Sequence, residues 1–478
     1  MTGSGAMPLW TAADAALATK GQTSTSWLAY GVSIDSRTLK SGDLFVAVCG
    51  PDSDGHDYVA DALAKGAAAA VVSGHPEAVS ADAPLLRVDD TLAGLQALGM
   101  AARSRTSAHV IAITGSVGKT STKEALRLAL SSGGLVAHAS EASFNNQWGV
   151  PLSLARMPAD SAFGIFELGM NHPDELEPLS RMVRPHAAII TTVEPAHLAY
   201  FKNIAAIADA KAEVFSGLEP EGTAILNRDN SFFGQLADAA ERHGARRVLG
   251  FGHDPAAWAH IVDATTFSTS SSVSAEIGGK AITYTIGAAG RHWVMNSLAT
   301  LATVAAFGGD LDEAASTMSQ MTALRGRGER HQVPLGTGTI EVIDESYNAS
   351  PPSMRAAIDM LGGAQPGAGG RRIAVLGDML ELGPDSPRLH AQLARDIAYS
   401  RIDLVFTAGS NMARLSDALA SGGRGPHCDK STQLVTPLLD LLRPGDVVMV
   451  KGSLGSQMTL VVDALLEAND FSRQAKCG

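Results

Sequence analysis

Gly115, Gly118, Lys119 and Thr120 stand together, with Ser116 and Val117 between the glycines and Ser121 after them. Glycines let backbone N–H groups crowd around an anion without interference from a Cβ. A lysine adds a mobile point charge for phosphate, and a threonine hydroxyl here is of the kind that ligates Mg²⁺ in phosphate loops. The chemistry indicated is nucleotide-phosphate binding. The spacing is tighter than in a Walker A loop, and so short a match could arise by chance as a strand-to-helix turn, but the strand before, the helix after and the Lys-Thr pair favour phosphate binding. Other residues with chemical potential lie further along. Glu167 ends an apolar run, where a carboxylate projects into the crevice of an open α/β sheet and can ligate Mg²⁺. Asn227 ends another such run and could read a base. His197 and Lys211 read, by themselves, as an ordinary structural histidine and a helix lysine reaching solvent. Asn145 and Asn146 form an amide pair, and Ser36-Arg37 is a polar turn whose planar guanidinium suits a diphosphate or carboxylate, though turns are polar by default.

The surrounding pattern supplies elements to position them. Val110 to Ile113 is short, apolar and β-branched, as expected of a buried parallel strand. Ala125, Leu126, Ala129 and Leu130 share a helical face, so a helix N-terminus should point at the anion bound by the loop. Strands are predicted at Phe163–Phe166, Ala187–Val193 and Ala224–Asn227. Residues 266–286 should form a hairpin turning at Gly278-Gly279. Past Leu324 the run Arg325–His331 reads as a flexible basic hinge. Strands at Ile340–Ile343, Ile373–Leu376, Leu404–Phe406 and Val447–Val450 alternate with helices, the signature of a doubly wound unit. Residues 362–370, GGAQPGAGG, read as a flexible connector.

A length of 478 residues suggests about three domains. Hydrophobic content of 45% and charged content of 18% describe a globular chain. Lys plus Arg number 37 against 49 Asp plus Glu, a net charge of −12, which argues against a nucleic-acid or anionic-membrane partner. Cys49, Cys428 and Cys477 lack metal or redox spacing and read as free thiols in a reducing compartment. With no long apolar run and no signal-like N-terminus, the expectation is a cytoplasmic protein with no membrane insertion.

Taken in order, TGSVGKTSTKE (114–124), NNQWGVPLSL (145–154), FELGMNHPDEL (166–176), AHL (196–198), AKAEVF (210–215), DESYNASPPSMRAAI (344–358), LGDMLELG (376–383) and VKGS (450–453) resemble the Mur ligases of peptidoglycan synthesis. ELGMN and SYNASP point to the branch that adds D-alanyl-D-alanine to UDP-N-acetylmuramoyl-tripeptide. The resemblance implies an α/β chain of three domains. These are a small N-terminal uridine-nucleotide domain (1–105), a central P-loop-like ATP-binding domain with a mostly parallel sheet (106–324) and a C-terminal Rossmann-like doubly wound domain (325–478).

It further implies that Gly115 to Ser121 hold ATP, with Lys119 on its phosphates, and that Thr120 and Glu167 ligate one Mg²⁺. His197 would lie near a second metal ion. Lys211 matches a lysine that is carbamylated (N6-carboxylated) in the family, which would make it an anionic metal ligand. Asn227, Asn296, Arg327 and Asp344 match positions near the nucleotide. Ser36 and Arg37 match the uridine site, Asn145 and Asn146 the muramoyl-peptide site, and Tyr347, Asn348 and Lys451 belong to substrate-binding motifs. The family often carries Glu and Gly-like residues after AHL, where Ala199, Tyr200, Phe201 and Lys202 stand here. Its SYNA motif usually continues Asn-Pro after a second Asp, where Glu345 and Ser350 stand here. The expected reaction is amide formation through an acyl phosphate, by a monomer that closes about the 325–331 hinge. The alternatives are a sibling Mur-type, folate or cyanophycin ligase, a nucleotide-dependent switch ATPase, or a non-catalytic scaffold.

Overall fold

The structure, a computed structural model, describes residues 7–50, 53–76, 78–141, 143–195, 198–267 and 269–474. Its strands build three large sheets beside one two-stranded pair, Trp10–Thr11 with Leu28–Ala29. In the first, Gly31–Ser33, Asp43–Val46, Ala69–Val72 and Leu85–Arg87 run parallel, with Gln22–Thr23 antiparallel at the edge. The second is nine-stranded. Ala137–Ala139, Phe163–Glu167, His109–Thr114, Ala187–Ile190, Thr223–Asn227, Arg247–Gly252 and Ala259–Thr266 lie side by side in parallel. Ser271–Ile277 and Lys280–Ile286 then extend it antiparallel. The third places Gly338–Glu345, Val447–Lys451, Arg372–Gly377, Leu404–Ala408 and Arg424–Cys428 in parallel, with Glu329–Leu335 antiparallel at one edge.

A parallel sheet must bury both faces, and strand periodicity shows how the central one does so. Ile111 and Ile113 pack under the helices Lys119–Leu130 and Arg291–Ala306, whereas Val110 and Ala112 pack on the opposite side with Leu176, Leu179 and Ile207. The C-terminal sheet repeats the scheme. Met354, Ile358 and Leu393 cover one face, and Leu438, Val461 and Val462 cover the other.

The units are joined differently. The core of the first sheet takes in Leu152 and Ala155 from the helix Gly149–Ala155, so it is continuous with the central unit. Trp10 Nε1 donates to Ala155 O at 2.9 Å and Arg156 Nε to Val32 O at 2.6 Å across that seam. The two clusters of the third sheet contain only its own residues, from Val333 and Ile343 onward.

Most expected strands lie within a residue or two of their predicted limits, and Gly278-Gly279 turn the hairpin with φ of +58° and +84°. Three expectations need correction. The strand beginning at Ala187 ends at Ile190, not Val193, because Thr191 and Thr192 turn to brace the glycine loop. The basic hinge is shorter than Arg325–His331, since Glu329 pairs with Asp344 and His331 with Val342 in the sheet. Only Arg325–Gly328 remain as a loop, with Gly326 and Gly328 at φ of +74° and +93°. Residues 362–370 are also not a loose connector. Gly362 and Gly363 finish a helix, Gly367 N donates to Gly445 O at 2.8 Å, and a Cβ on Gly370 would overlap Gly445.

Cys49 and Cys428 are free thiols, while Cys477 lies outside the described residues. Among those residues no helix is long and apolar enough to cross a membrane.

Candidate active site

The strand His109–Thr114 ends in the glycine turn, and the helix Lys119–Leu130 begins directly after it. Gly115 (φ +146°) and Gly118 (φ +88°) occupy backbone conformations that other residues avoid. A Cβ on Gly115 would overlap Thr191 Oγ1, and one on Gly118 would lie 2.7 Å from Asn296 Oδ1. Thr191 Oγ1 donates to Val117 O at 2.6 Å, and Ser116 N donates to Thr192 O at 2.9 Å, so the neighbouring strand end holds the loop open. Among the described residues no side chain caps the helix start. Its first N–H groups and the positive end of its dipole therefore face the cleft, which is the arrangement that binds phosphate.

Glu167, at the C-terminal end of Phe163–Glu167, is buried beside this helix. Thr120 Oγ1 donates to Glu167 Oε2 at 2.9 Å and Asn145 Nδ2 to Oε1 at 2.9 Å. Glu167 N donates to Ser140 Oγ at 3.2 Å, and buried Lys123 donates from Nζ to Ser140 O at 2.6 Å. A hydroxyl and a carboxylate this close offer the hard oxygen donors that Mg²⁺ takes.

Lys119 Nζ donates to Gly115 O at 2.8 Å. Burial pushes its pKa below the ordinary lysine value; Glu167 counteracts this and Arg327 adds to it. Lys211 is buried in the helix Ile204–Ala212, with no hydrogen-bond acceptor for Nζ among the described residues. Burial first and repulsion from Lys119 second depress its pKa well below the usual value. The half-buried Lys119 and the buried Lys211 thus stand near one another beside the uncapped helix start. Asn296 Nδ2, also buried, has no partner among the described residues.

The loop, Asn145, Asn146, Glu167, Asn227 and Asn296 line a cleft of about 1640 Å³ whose far wall carries Arg327, Tyr347, Asn348 and Lys451. Arg327 stacks over the Tyr347 ring, its guanidinium carbon 4.0 Å from the centroid. Lys451, buried, donates to Glu345 Oε2 at 3.1 Å and Asn348 O at 2.9 Å. Asp344 is buried behind this wall. It accepts from Gly326 N at 2.8 Å, Ser346 N at 3.0 Å and Ser346 Oγ at 2.6 Å, and so shapes the Arg325–Gly328 loop from within. Asn227 Nδ2 donates to Thr191 O at 3.2 Å, and Asn146 Oδ1 caps Trp148 N and Gly149 N at 3.2 and 3.0 Å. His197 lies outside the described residues.

Ser36 and Arg37 are not brought to this cleft. Ser36 is buried, and Arg37 is exposed and pairs with Asp35 at 2.7 Å. In the nearby turn, Asp54 Oδ1 binds His56 N at 2.9 Å and His56 Nδ1 at 2.6 Å, which lowers its pKa to about 2. Ser73 N donates to His56 Nε2 at 3.0 Å, so the ring proton sits on Nδ1 and is given to Asp54.

Sequence reasoning missed the bracing role of Thr191 and Thr192, although two hydroxyl residues at the end of an apolar run were visible. It also missed Ser140 and the half-buried Glu194, which no motif marks.

Three family models match the chain: "Mur ligase family, catalytic domain" over residues 29–104, "Mur ligase middle domain" over 113–304 and "Mur ligase, glutamate ligase domain" over 326–454. The chain is 32% identical over 455 residues to the UDP-N-acetylmuramoyl-tripeptide–D-alanyl-D-alanine ligase of Rickettsia prowazekii, covering 95% of this chain and 99% of that one. Against the Escherichia coli enzyme of the same name, identity is 34%, covering 91% and 93%. Among solved structures, MurF from Acinetobacter baumannii superposes with a TM-score of 0.82 at 28% identity, covering 96% of this chain and 99% of that one.

Proposed function

The chain belongs to the Mur ligase family, and from that premise we propose that it joins D-alanyl-D-alanine to UDP-N-acetylmuramoyl-tripeptide. ATP activates the tripeptide carboxylate as an acyl phosphate, and the product is the UDP-muramoyl-pentapeptide precursor of peptidoglycan. The full-length likeness to ligases of that name supports the choice of substrates. The observation that carries the chemistry is the half-buried Lys119 at an uncapped helix start, with the buried Lys211 nearby. Such a site suits a polyphosphate.

A carboxylate is a poor acylating agent because its oxygen leaves badly; phosphorylation converts that oxygen into a good leaving group. Lys119 and the N–H groups of Gly118 to Ser121 hold the β- and γ-phosphates and stabilise the charge that builds on the transferring group. In this reading Asn296 Nδ2, which lies unpartnered among the described residues against Gly118, donates to the nucleotide, and Arg327, stacked on Tyr347, brings a second cation from the far wall. Thr120, Glu167 and a carbamylated Lys211, with His197, would hold Mg²⁺. When bound, Mg²⁺ neutralises the phosphoryl oxygens and lets two anions approach. Lys211 suits carbamylation because its depressed pKa favours the neutral amine that reacts with CO₂. The resulting anion would turn its repulsion from Lys119 into attraction. In this reading residues 1–105 hold the uridine nucleotide through Ser36 and Arg37, residues 106–324 hold ATP, and residues 325–478 deliver the dipeptide past Tyr347, Asn348 and Lys451.

The test is phosphate release from ATP with each component omitted in turn, and with glutamate or a diamino acid replacing the dipeptide. The expected result is release only when the tripeptide nucleotide and D-alanyl-D-alanine are both present. Release with a different amine alone would make the chain a sibling ligase, and release indifferent to any acceptor would make it an ATPase.

A further inference from the structure

The second half-reaction needs a base. The dipeptide arrives as an ammonium ion, which has no lone pair with which to attack the acyl phosphate. Among the described residues seven carboxyl groups line the cleft: those of Glu167, Glu175, Glu194, Glu341, Glu345, Asp359 and Glu381. Most are committed. Glu167 receives Thr120 and Asn145. Glu175 accepts from Asn171 N at 2.7 Å, His172 N at 3.2 Å and the His172 ring at 2.9 Å. Glu341 pairs with Arg330 at 2.8 Å and Glu345 with Lys451 at 3.1 Å. Asp359 accepts from Ser400 Oγ at 3.0 Å, and Glu381 is also engaged.

Glu194 differs. Its backbone is locked to the glycine loop from both sides: Ser116 Oγ donates to Glu194 O at 3.0 Å, and Glu194 N donates to Ser116 Oγ at 2.9 Å. The residue is therefore fixed beside the phosphate-holding turn. Its carboxylate, in contrast, is loosely held. The one hydrogen bond to it among the described residues comes from Thr192 Oγ1 at 3.5 Å, the outer limit of such a contact. Among the described residues, Arg355 on the helix Pro351–Gly363 is the charged group that acts on it, without forming a close ion pair. Burial outweighs that cation and raises the carboxyl pKa, which makes the carboxylate a stronger base than an exposed glutamate.

We propose that Glu194 is the catalytic base that takes a proton from the attacking amine. The proposal rests on the ligase reading above. One carboxylate oxygen of Glu194 accepts a proton from the ammonium group and frees the nitrogen lone pair. That pair forms the C–N bond to the acyl carbon. As the tetrahedral adduct collapses, the bond from carbon to the phosphate oxygen breaks. The second nitrogen proton leaves with the phosphate as hydrogen phosphate.

The experiment uses the full-length protein with ATP, Mg²⁺ and UDP-muramoyl-tripeptide and compares two acceptors. D-alanyl-D-alanine is largely protonated at pH 7 and needs the base. Hydroxylamine is already unprotonated and captures the acyl phosphate without one. In Glu194→Gln, amide formation should fall about 10²-fold at pH 7, while hydroxamate formation and melting temperature stay at wild-type levels. The residual amide rate should climb with pH until it meets the amine's own pKa, about 8. Glu194→Asp, which keeps a carboxylate, should recover part of the amide rate. Equal loss of both products would overturn the proposal, because Glu194 would then serve phosphoryl transfer or folding. Undiminished amide formation in Glu194→Gln would overturn it as well. If the wild-type protein yields neither product, the ligase reading itself fails.

Discussion

At the central edge of the cleft, among the described residues, Asn296 Nδ2 is buried without a partner and the helix Lys119–Leu130 starts uncapped, with the buried Lys211 close enough to act on Lys119. At the C-terminal edge the polar groups satisfy one another: Asp344 takes three hydrogen bonds, and Lys451 is shared between Glu345 and the Asn348 carbonyl. Both edges lie at the carboxyl ends of parallel strands. One is organised for a ligand it must receive, and the other is complete in itself and shapes the wall opposite. The lesson is to find the binding site where burial leaves polar groups unmet, since each such group costs stability until a ligand meets it.

The contrast can be broken by mutation. Lys119→Ala should lower ATP turnover about 10³-fold, while its melting temperature holds or rises, because a desolvated cation next to another has been removed. A clear loss of stability would show that the loop needs its lysine for folding. On the opposite wall, Asp344→Ala should destabilise by about 3 kcal/mol in urea unfolding, since Gly326 N, Ser346 N and Ser346 Oγ lose their acceptor. Activity would then fall because the Arg325–Gly328 loop loosens. A stable but inactive variant would assign Asp344 to direct substrate contact.

The pH dependence of stability sharpens the same comparison. The folded-state pKa of Lys211 lies well below its unfolded value, so between the two the unfolded chain binds the extra proton. Its contribution to stability must therefore rise with pH across that window. Without bicarbonate, Lys211→Met should be more stable than wild type at pH 7, and the difference should shrink toward pH 10, close to the unfolded lysine value of about 10.4. A difference that is flat with pH would mean that the folded-state pKa of Lys211 is not depressed. The smallest structural effect is expected at Arg37, whose exposed pair with Asp35 is screened by water. Arg37→Ala should leave the melting temperature unchanged and raise the KM for the UDP-tripeptide alone.

The strand, glycine turn and helix of residues 109–130 could be read in advance because each change of element coincides with a change of residue period. The Gly278-Gly279 hairpin was equally plain. Thr191 and Thr192 misled, since β-branched residues after an apolar run look like more strand. They leave the sheet because the glycine loop takes their hydroxyl and carbonyl groups. Glu329 to His331 misled in the other direction. Their charges suggested a loop, but an edge strand tolerates charge on its open side. Asn146 and Asp344 show that a motif residue can also shape its own loop: the Asn146 side-chain oxygen and the Asp344 carboxylate both accept from nearby backbone N–H groups. The isolation of Glu194 could not be foreseen, because it depends on where the neighbouring cations lie in three dimensions.

The central claim is that the site around Lys119 activates a peptide carboxylate by phosphorylation. The direct measurement starts from UDP-muramoyl-tripeptide labelled with ¹⁸O in its terminal carboxylate. After turnover with ATP and D-alanyl-D-alanine, the released phosphate is weighed by mass spectrometry. The account predicts that each phosphate carries one labelled oxygen taken from the peptide. Unlabelled phosphate accompanying amide formation would contradict it.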